Sequence, residues 1–387
     1  MKAASAVLFF SLAAALPSRA VAEMKLDYIS EIGHSSNLFV DTNNLSGTFW
    51  QGTLKLRGSL QQDGTKLSYA IRQTEMHTGR YRFGDRRETE LNLGYSLALG
   101  KDALIELEAA YLRSSSGDVL LALPQSIIGY RTTDQQFQFA GQYTTSSFIG
   151  KTVAAVKASA LKKGDARFTI NLLQPTKLDP DLSLAGFSLS HYAPALGGEL
   201  CFCGEIEGSF IAKDEQKKYA RFPATKLRGS LAYARAIGTL TLVGEAGFTI
   251  LSSNSLAPLE RISYPYLRAE AMWKPNAVLE ASIGYKRSLS IGDIDDAVAE
   301  DTRLYSATLA ARIMPGVAVG LSYTFANSEY VYYIYNRKRR SLSAKLVLGA
   351  DDKPKFEIEY ARIVQTETDA DANYKANTIS ARVNGTF

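Results

Sequence analysis

From residue 25 to the C-terminus, apolar and polar side chains alternate one by one in short segments separated by turn-forming residues. Side chains of a β-strand point to opposite faces with a period of two, so each segment reads as a strand with one greasy and one polar face. In the last segment Ile379, Ala381, Val383, Gly385 and Phe387 fall on one face, and Thr378, Ser380, Arg382, Asn384 and Thr386 on the other. Leu91, Leu93, Tyr95, Leu97 and Leu99 likewise oppose Glu88, Glu90, Asn92 and Ser96. Ile105, Leu107, Ala109 and Tyr111 oppose Glu106 and Glu108, and Val317 to Phe325 repeats the pattern.

Alternation alone also fits a soluble sandwich, but the connections discriminate. Tight turns at Gln62-Asp63-Gly64, Gly100-Lys101-Asp102, Lys274-Pro275-Asn276 and Met314-Pro315-Gly316 alternate with long polar stretches. Those run from His34 to Gly47, His77 to Arg86, Ala212 to Ala224, Leu289 to Glu300 and Glu367 to Lys375. Short turns at one end and long loops at the other are the habit of a transmembrane barrel. Aromatics at segment ends on the apolar face (Trp50, Tyr95, Tyr111, Tyr233, Trp273, Tyr285, Tyr323) match interfacial girdles. Hydrocarbon cannot solvate backbone N–H and C=O groups, so an apolar face turned to lipid requires the sheet to close. Pro265 lacks a ladder donor and is expected at the outer end of a strand.

The expectation is an all-β chain: a single transmembrane antiparallel barrel with short periplasmic turns and long extracellular loops. Between Ser114 and Leu200 four segments, 134–144, 152–161, 166–175 and 182–191, bring the tally to an odd number. Both termini of such barrels lie in the periplasm, which demands an even one. Either one segment is not a strand or Val119 to Tyr130 adds another; about 18 strands are expected, with 16 and 20 open.

Composition agrees. The 387 residues are 46% hydrophobic and 21% charged, and after the first 16 residues no apolar run approaches a helical span, which needs ~20. Met1-Lys2, the apolar stretch Ala3 to Leu16 and Ala20-Val21-Ala22 before Glu23 read as a signal peptide over 1–22, with the barrel over 23–387. Without Lys2 and Arg19, 42 basic residues face 39 acidic ones, a balance that argues against nucleic acid as a partner.

An alternating last strand ending in Phe387 resembles the signal read by the outer-membrane barrel-assembly machinery, with Gly385 and Ile379 departing from its more aromatic forms. The opening Gly33-His34-Ser35-Ser36-Asn37-Leu38 resembles the G-x-x-S-N-hydrophobic start of broad porin-like barrel families, some of them found in polysaccharide loci. The resemblance implies an outer-membrane location, contact with outer-membrane lipid and lipopolysaccharide, the assembly machinery as a partner of the C-terminal strand, and periplasmic export proteins as further partners in the polysaccharide case.

Alternation assigns the charged residues to the inner face. Pore-lining candidates are Lys55, Arg57, Lys66, Arg72, Glu88, Glu90, Glu106, Glu108, Lys226, Arg228, Arg268, Glu270, Arg312 and Arg382, joined by Glu245, Glu280, Lys286, Lys345, Glu357 and Glu359. The second and third strands are basic, the fourth and fifth acidic. Two readings stay open: a transverse field that orients dipolar solutes, or a wall cross-linked by salt bridges.

Three stretches stand apart. Ser114 to Asp134, with Leu120, Leu121, Leu123, Ile127 and Ile128, is either an inward-folded loop or an extra strand. Tyr330, Tyr332, Tyr333 and Tyr335 beside Arg337 form a candidate glycan-contact loop, or a strand rising above the membrane. Cys201-Phe202-Cys203 in a strand spaces its thiols about 6.6 Å apart along the chain, wider than the 3.5–4.5 Å Cβ separation of a disulfide. Inert, unbonded cysteines are expected there unless the stretch is a turn.

Chemistry beyond passage finds little support. His34 and Ser35 are neighbours on a strand and face opposite sides, so no catalytic residue is assigned. Asp293, Asp295 and Asp296 lack the spacing of a calcium loop, and neither metal nor cofactor is expected. The leading functional expectation is a porin-like channel for small hydrophilic solutes. The alternatives are a conduit exporting a surface polysaccharide and a non-transporting adhesin or structural barrel.

Overall fold

The computed structural model describes residues 21–123, 126–253, 259–291, 298–331, 335–350, 353–368 and 373–387. The alternating segments become strands β1 (Val21–Ser35), β2 (Gly47–Gln62), β3 (Thr65–Thr78), β4 (Arg86–Ala98), β5 (Ala103–Leu123), β6 (Ser126–Ser147) and β7 (Gly150–Lys162). Two short strands follow, β8 (Asp165–Phe168) and β9 (Thr176–Lys177), then β10 (Leu182–Ala195), β11 (Gly198–Phe210) and the single-turn-plus helix α1 (Lys213–Tyr219). The wall continues through β12 (Ala224–Ile237), β13 (Leu240–Ser253), β14 (Leu259–Trp273), β15 (Leu279–Ser290) and β16 (Glu300–Met314). It ends with β17 (Val317–Tyr330), β18 (Asn336–Leu348), β19 (Lys355–Glu367) and β20 (Tyr374–Thr386).

Each wall strand pairs antiparallel with its sequence neighbours, β7 pairs with β10, and β20 returns to β1 from Asp27↔Thr386 to Ser35↔Thr378. Leaving out β8 and β9, this is a closed barrel of eighteen strands. The odd tally is thereby resolved against the segment 166–175. Its first residues form β8, which pairs at Tyr130↔Phe168 and Arg131↔Arg167 with β6 above the wall. Leu172-Leu173 then break the alternation and Pro175 removes a donor. Val119 to Tyr130 adds no wall strand either. It is the tip of one long hairpin in which Val119 pairs with Gly129, and Pro124 lies outside the described residues. β5 and β6 span 21 and 22 residues, about twice the 9–11 that cross a bilayer.

All the anticipated tight turns lie at the end where β1 begins, and all the anticipated long connections lie at the other. The β2–β3 turn shows why the short ones are short. Asp63 and Gly64 both have positive φ, 43° and 78°, the primed turn whose twist matches that of the strands it joins. Residues 1–20 lie outside the described residues; cleavage after Ala22 would leave β1 its ladder from Glu23↔Ser59 onward.

The apolar set faces outward. Leu93 is 51% exposed, Ile283 64% and Phe248 66%, on rows continuous around the barrel, as a surface bathed in lipid requires. Trp50, Tyr95, Trp273 and Tyr323 are exposed on the same face. At the closing seam Tyr28 lies over Gly385, where a Cβ would meet its ring at 2.8 Å, and stacks on Phe387 with centroids 5.1 Å apart. The aromatic missing at position 385 is thus supplied by the neighbouring strand.

The outward assignment makes a quantitative prediction. Leu93→Arg near mid-strand is expected to cost about 2–4 kcal/mol in reversible unfolding from lipid vesicles, whereas Asn92→Arg, one residue along and facing inward, stays near neutral. Equal costs would place Leu93 away from lipid.

Candidate functional site: the charged inner wall

Register propagates the inner face from strand to strand, because directly paired residues share a side. Lys55 pairs with Arg72, Arg72 with Glu90, and Glu88 with Ser114. Glu205 pairs with Arg228, and Arg268 with both Glu245 and Lys286. Register across strands and the two-residue spacing along each one bring oppositely charged side chains of this face within reach, and several pair. Arg57 reaches Asp27 at 2.8 Å, Arg72 is bonded to Glu90, and Arg86 to Glu88. Arg268 pairs with Glu270 at 2.8 Å.

Two larger clusters organise opposite parts of the wall. In one, Arg382 of β20 bonds Glu31 of β1 at 2.8 Å and Glu357 of β19 at 3.5 Å, while Lys345 of β18 reaches Glu357 at 2.7 Å. This network stitches the closing seam. In the other, Lys157 of β7 crosses β10 to reach Glu205 at 3.2 Å and Glu207 at 3.0 Å on β11. The crossing passes over Gly186, whose Cβ would lie 2.8 Å from the Lys157 Cε. Lys226 completes the cluster on Glu207 at 2.5 Å and Arg228 on Glu205 at 2.9 Å. Three cations around two carboxylates leave the cluster net positive.

Lys55, Lys66 and Glu108 have no ion-pair partner among the described residues, and all three line one inner groove of about 520 Å³. Glu106 accepts a hydrogen bond from Gln142 at 3.2 Å, and Glu245 from Ser230 at 2.6 Å and Tyr266 at 3.2 Å. Arg312 sits on the inner face in the β16–β17 register, opposite Ala318. Seam pairs cross-link the wall, and an unpaired minority leaves opposite charges on one groove.

Sequence reasoning missed Asp27, Glu31, Lys157, Glu205 and Glu207. The same alternation marks them, since Asp27 and Glu31 oppose Leu26, Tyr28 and Ile32, and Glu205 and Glu207 flank Ile206.

At the long-loop end Leu251 of β13 and Ile262 and Tyr264 of β14 pack with Leu289, Ile291, Val298 and Ala299 in one apolar cluster. The segment after β1 is pinned by Asn37, fully buried, whose amide donates to Asn44 at 3.2 Å and to the Lys375 carbonyl at 3.4 Å. Above the wall, burial pushes the Asp118 carboxyl up from its usual range, and nearby Asp41 adds to that rise.

Three expectations change or narrow here. Cys201 and Cys203 are bonded to each other within β11, at a Cα separation of 5.9 Å. That lies inside the 4.4–6.8 Å a disulfide spans. The rise along an extended strand overstates the gap, because the two side chains lean toward each other on one face. Most of the 329–340 stretch is strand: β17 ends at Tyr330 and β18 starts at Asn336. Tyr330 packs edge-on against Tyr335 at 5.0 Å, and Arg337, bonded to Glu300 at 3.1 Å, lies 5.6 Å over Tyr330. Tyr332, Tyr333, Asp293, Asp295 and Asp296 lie outside the described residues. His34 bonds Ser46 at 3.3 Å, whereas Ser35 donates to the Asn37 carbonyl at 2.9 Å, so the two side chains belong to separate networks.

No protein-family model matches the chain, and no curated protein matches it. Solved structures do. It is similar to OccK2 (OpdF) of Pseudomonas aeruginosa, with a TM-score of 0.53 at 9% identity over 95% of this chain and 97% of that one. OccK9 (OpdG) of the same organism gives 0.53 at 10% identity, over 95% and 98%. The copper transporter OprC gives 0.55 at 10% identity, over 95% and 81%. At these identities the shared property is the fold, an outer-membrane-type β-barrel over nearly the whole chain.

The seam network should matter more than its exposed counterparts. Arg382→Met, which strands Glu31 and leaves Glu357 to Lys345 and Asn384, is expected to cost about 1.5–3 kcal/mol in denaturant unfolding from micelles. Arg86→Met, breaking an exposed pair, should stay within about 0.5 kcal/mol. Indistinguishable losses would remove the cluster's role in closure.

Proposed function

We propose that this chain is an outer-membrane channel that passes small hydrophilic solutes by diffusion, exported by its signal peptide and inserted through its C-terminal strand. The observation that carries the reading is an eighteen-strand closed barrel with a charged inner wall. Barrels of 16–18 strands are too wide for their own side chains to fill. The fold shared with OccK2, which has also been solved in complex with glucuronate, supports a solute of that size class. The net positive Lys157 cluster and unpaired Lys55 and Lys66 favour anionic over cationic solutes. The tyrosine pair beside Arg337 at the rim favours a second reading, contact with a saccharide, as an export conduit for a surface polysaccharide would make.

Purified protein in planar bilayers is expected to produce discrete conductance steps with modest anion preference. Glu205→Gln with Glu207→Gln removes both negative charges of the cluster and should move the reversal potential further toward anions. A protein that inserts without conductance steps refutes the channel reading. Unaltered surface polysaccharide in a deletion strain refutes the export reading.

A further inference from the structure

The outside of the barrel carries a second charged feature that a solute channel does not use. On the outer face Ile71, Leu91, Tyr111 and Phe137 form one row across β3, β4, β5 and β6, with Tyr111 and Phe137 in ring contact at 4.8 Å. Two residues further toward the long-loop end, about 6.6 Å along the strands, the row becomes Gln73, Thr89, Arg113 and Gln135. The next row is Glu75, Arg87, Ser115 and Thr133. The greasy belt therefore gives way at one level to a polar, arginine-bearing surface.

That surface is hollow. A cleft of about 1270 Å³ opens between the β3–β4 connection, the β5–β6 hairpin and β8, where five arginines (Arg86, Arg87, Arg113, Arg131 and Arg167) outnumber the three carboxylates of Glu75, Asp85 and Asp165 in the lining. Their partners divide them. Arg87 is held by Glu75, with Nε donating at 2.8 Å, and Arg86 by Glu88. Arg131 donates from one terminal nitrogen to the Asp85 carbonyl at 2.9 Å, while its buried Nε has no partner. Arg113 and Arg167 are exposed and have neither an ion pair nor a hydrogen-bonded partner among the described residues.

Arg131 and Arg167 are also direct register partners across β6 and β8. Like charges directly opposite one another destabilise a ladder unless an anion lies between them. Guanidinium forks match phosphate oxygens in pairs, which makes phosphate the anion such a cluster holds best. Acyl chains attached below that phosphate would run down the Leu91, Tyr111 and Phe137 row.

We propose that this cleft binds the phosphorylated sugar headgroup of an outer-leaflet glycolipid, with Arg113, Arg131 and Arg167 on the phosphate. The inference rests on the outer-membrane reading but not on solute passage. The test uses the full-length mature protein, folded in detergent and checked by heat-modifiable gel migration. It is titrated by native mass spectrometry with bis-phosphorylated lipid A, with its dephosphorylated form, and with inorganic phosphate.

Wild type should retain lipid A, and Arg113→Gln with Arg167→Gln should bind it at least tenfold more weakly. Arg167→Gln alone, on a short strand outside the wall, gives an intermediate loss and guards against a misfolded double variant. Equal retention by wild type and variants, or equal binding of the dephosphorylated lipid, overturns the proposal. Inorganic phosphate binding as tightly as lipid A overturns the lipid assignment. Conductance in glycolipid-free bilayers is read separately, so absent current with retained lipid counts against the channel alone.

Discussion

The structure depends on backbone hydrogen bonds that have nowhere else to go. A strand whose side chains alternate between lipid and water carries N–H and C=O groups in the plane between them, and hydrocarbon offers those groups no partner. Each strand must be flanked on both sides, and the first and last satisfy that only by meeting each other. At the β1–β20 seam the Leu26 and Phe387 backbones exchange hydrogen bonds at 3.2 and 2.9 Å. Tyr28 covers Gly385 outside, and Arg382 binds Glu31 inside. Aromatic packing, ladder and ion pair hold the seam from its two faces and its plane.

Closure also explains the inner wall. A closed antiparallel ladder brings residues far apart in sequence into direct opposition, as with Glu31 and Arg382, and does so at a spacing that suits ion pairs. Charges can stay there because an eighteen-strand interior leaves room for water around them, which lowers the cost of each unpaired group. Gly186 shows how finely the wall is adapted. A side chain there would stand in the path by which Lys157 reaches the carboxylates of β11. Pairing at the seams leaves Lys55, Lys66 and Glu108 without ion-pair partners among the described residues on one groove between them.

Beyond the bilayer the constraint relaxes, and the strands stop behaving as one cylinder. At the long-loop end Leu289, Ile291, Val298 and Ala299 cluster with Leu251 of β13. The β5–β6 hairpin carries its ladder to Leu123↔Ser126 and recruits β8 at its flank. The hairpin and β8 form one side of the arginine cleft, where β6 has run past its wall neighbour β7.

The alternation of single residues was enough to determine the fold class, the turn and loop ends, the faces of Leu93 and Glu90, and a strand number close to eighteen, because facing is a local property with a period of two. It misjudged 166–175, where a few residues alternate but find their partner on a hairpin above the wall. It also misjudged Cys201 and Cys203, whose bond depends on how two side chains lean within β11. It was silent on the crossing of Lys157 over Gly186, on the pairing of Arg131 with Arg167, and on the clustering of Leu289 and Ile291 with Leu251. Those belong to the tertiary structure alone, since each joins residues whose proximity is set by register and closure across strands, and a single strand's sequence carries no record of its neighbour's offset.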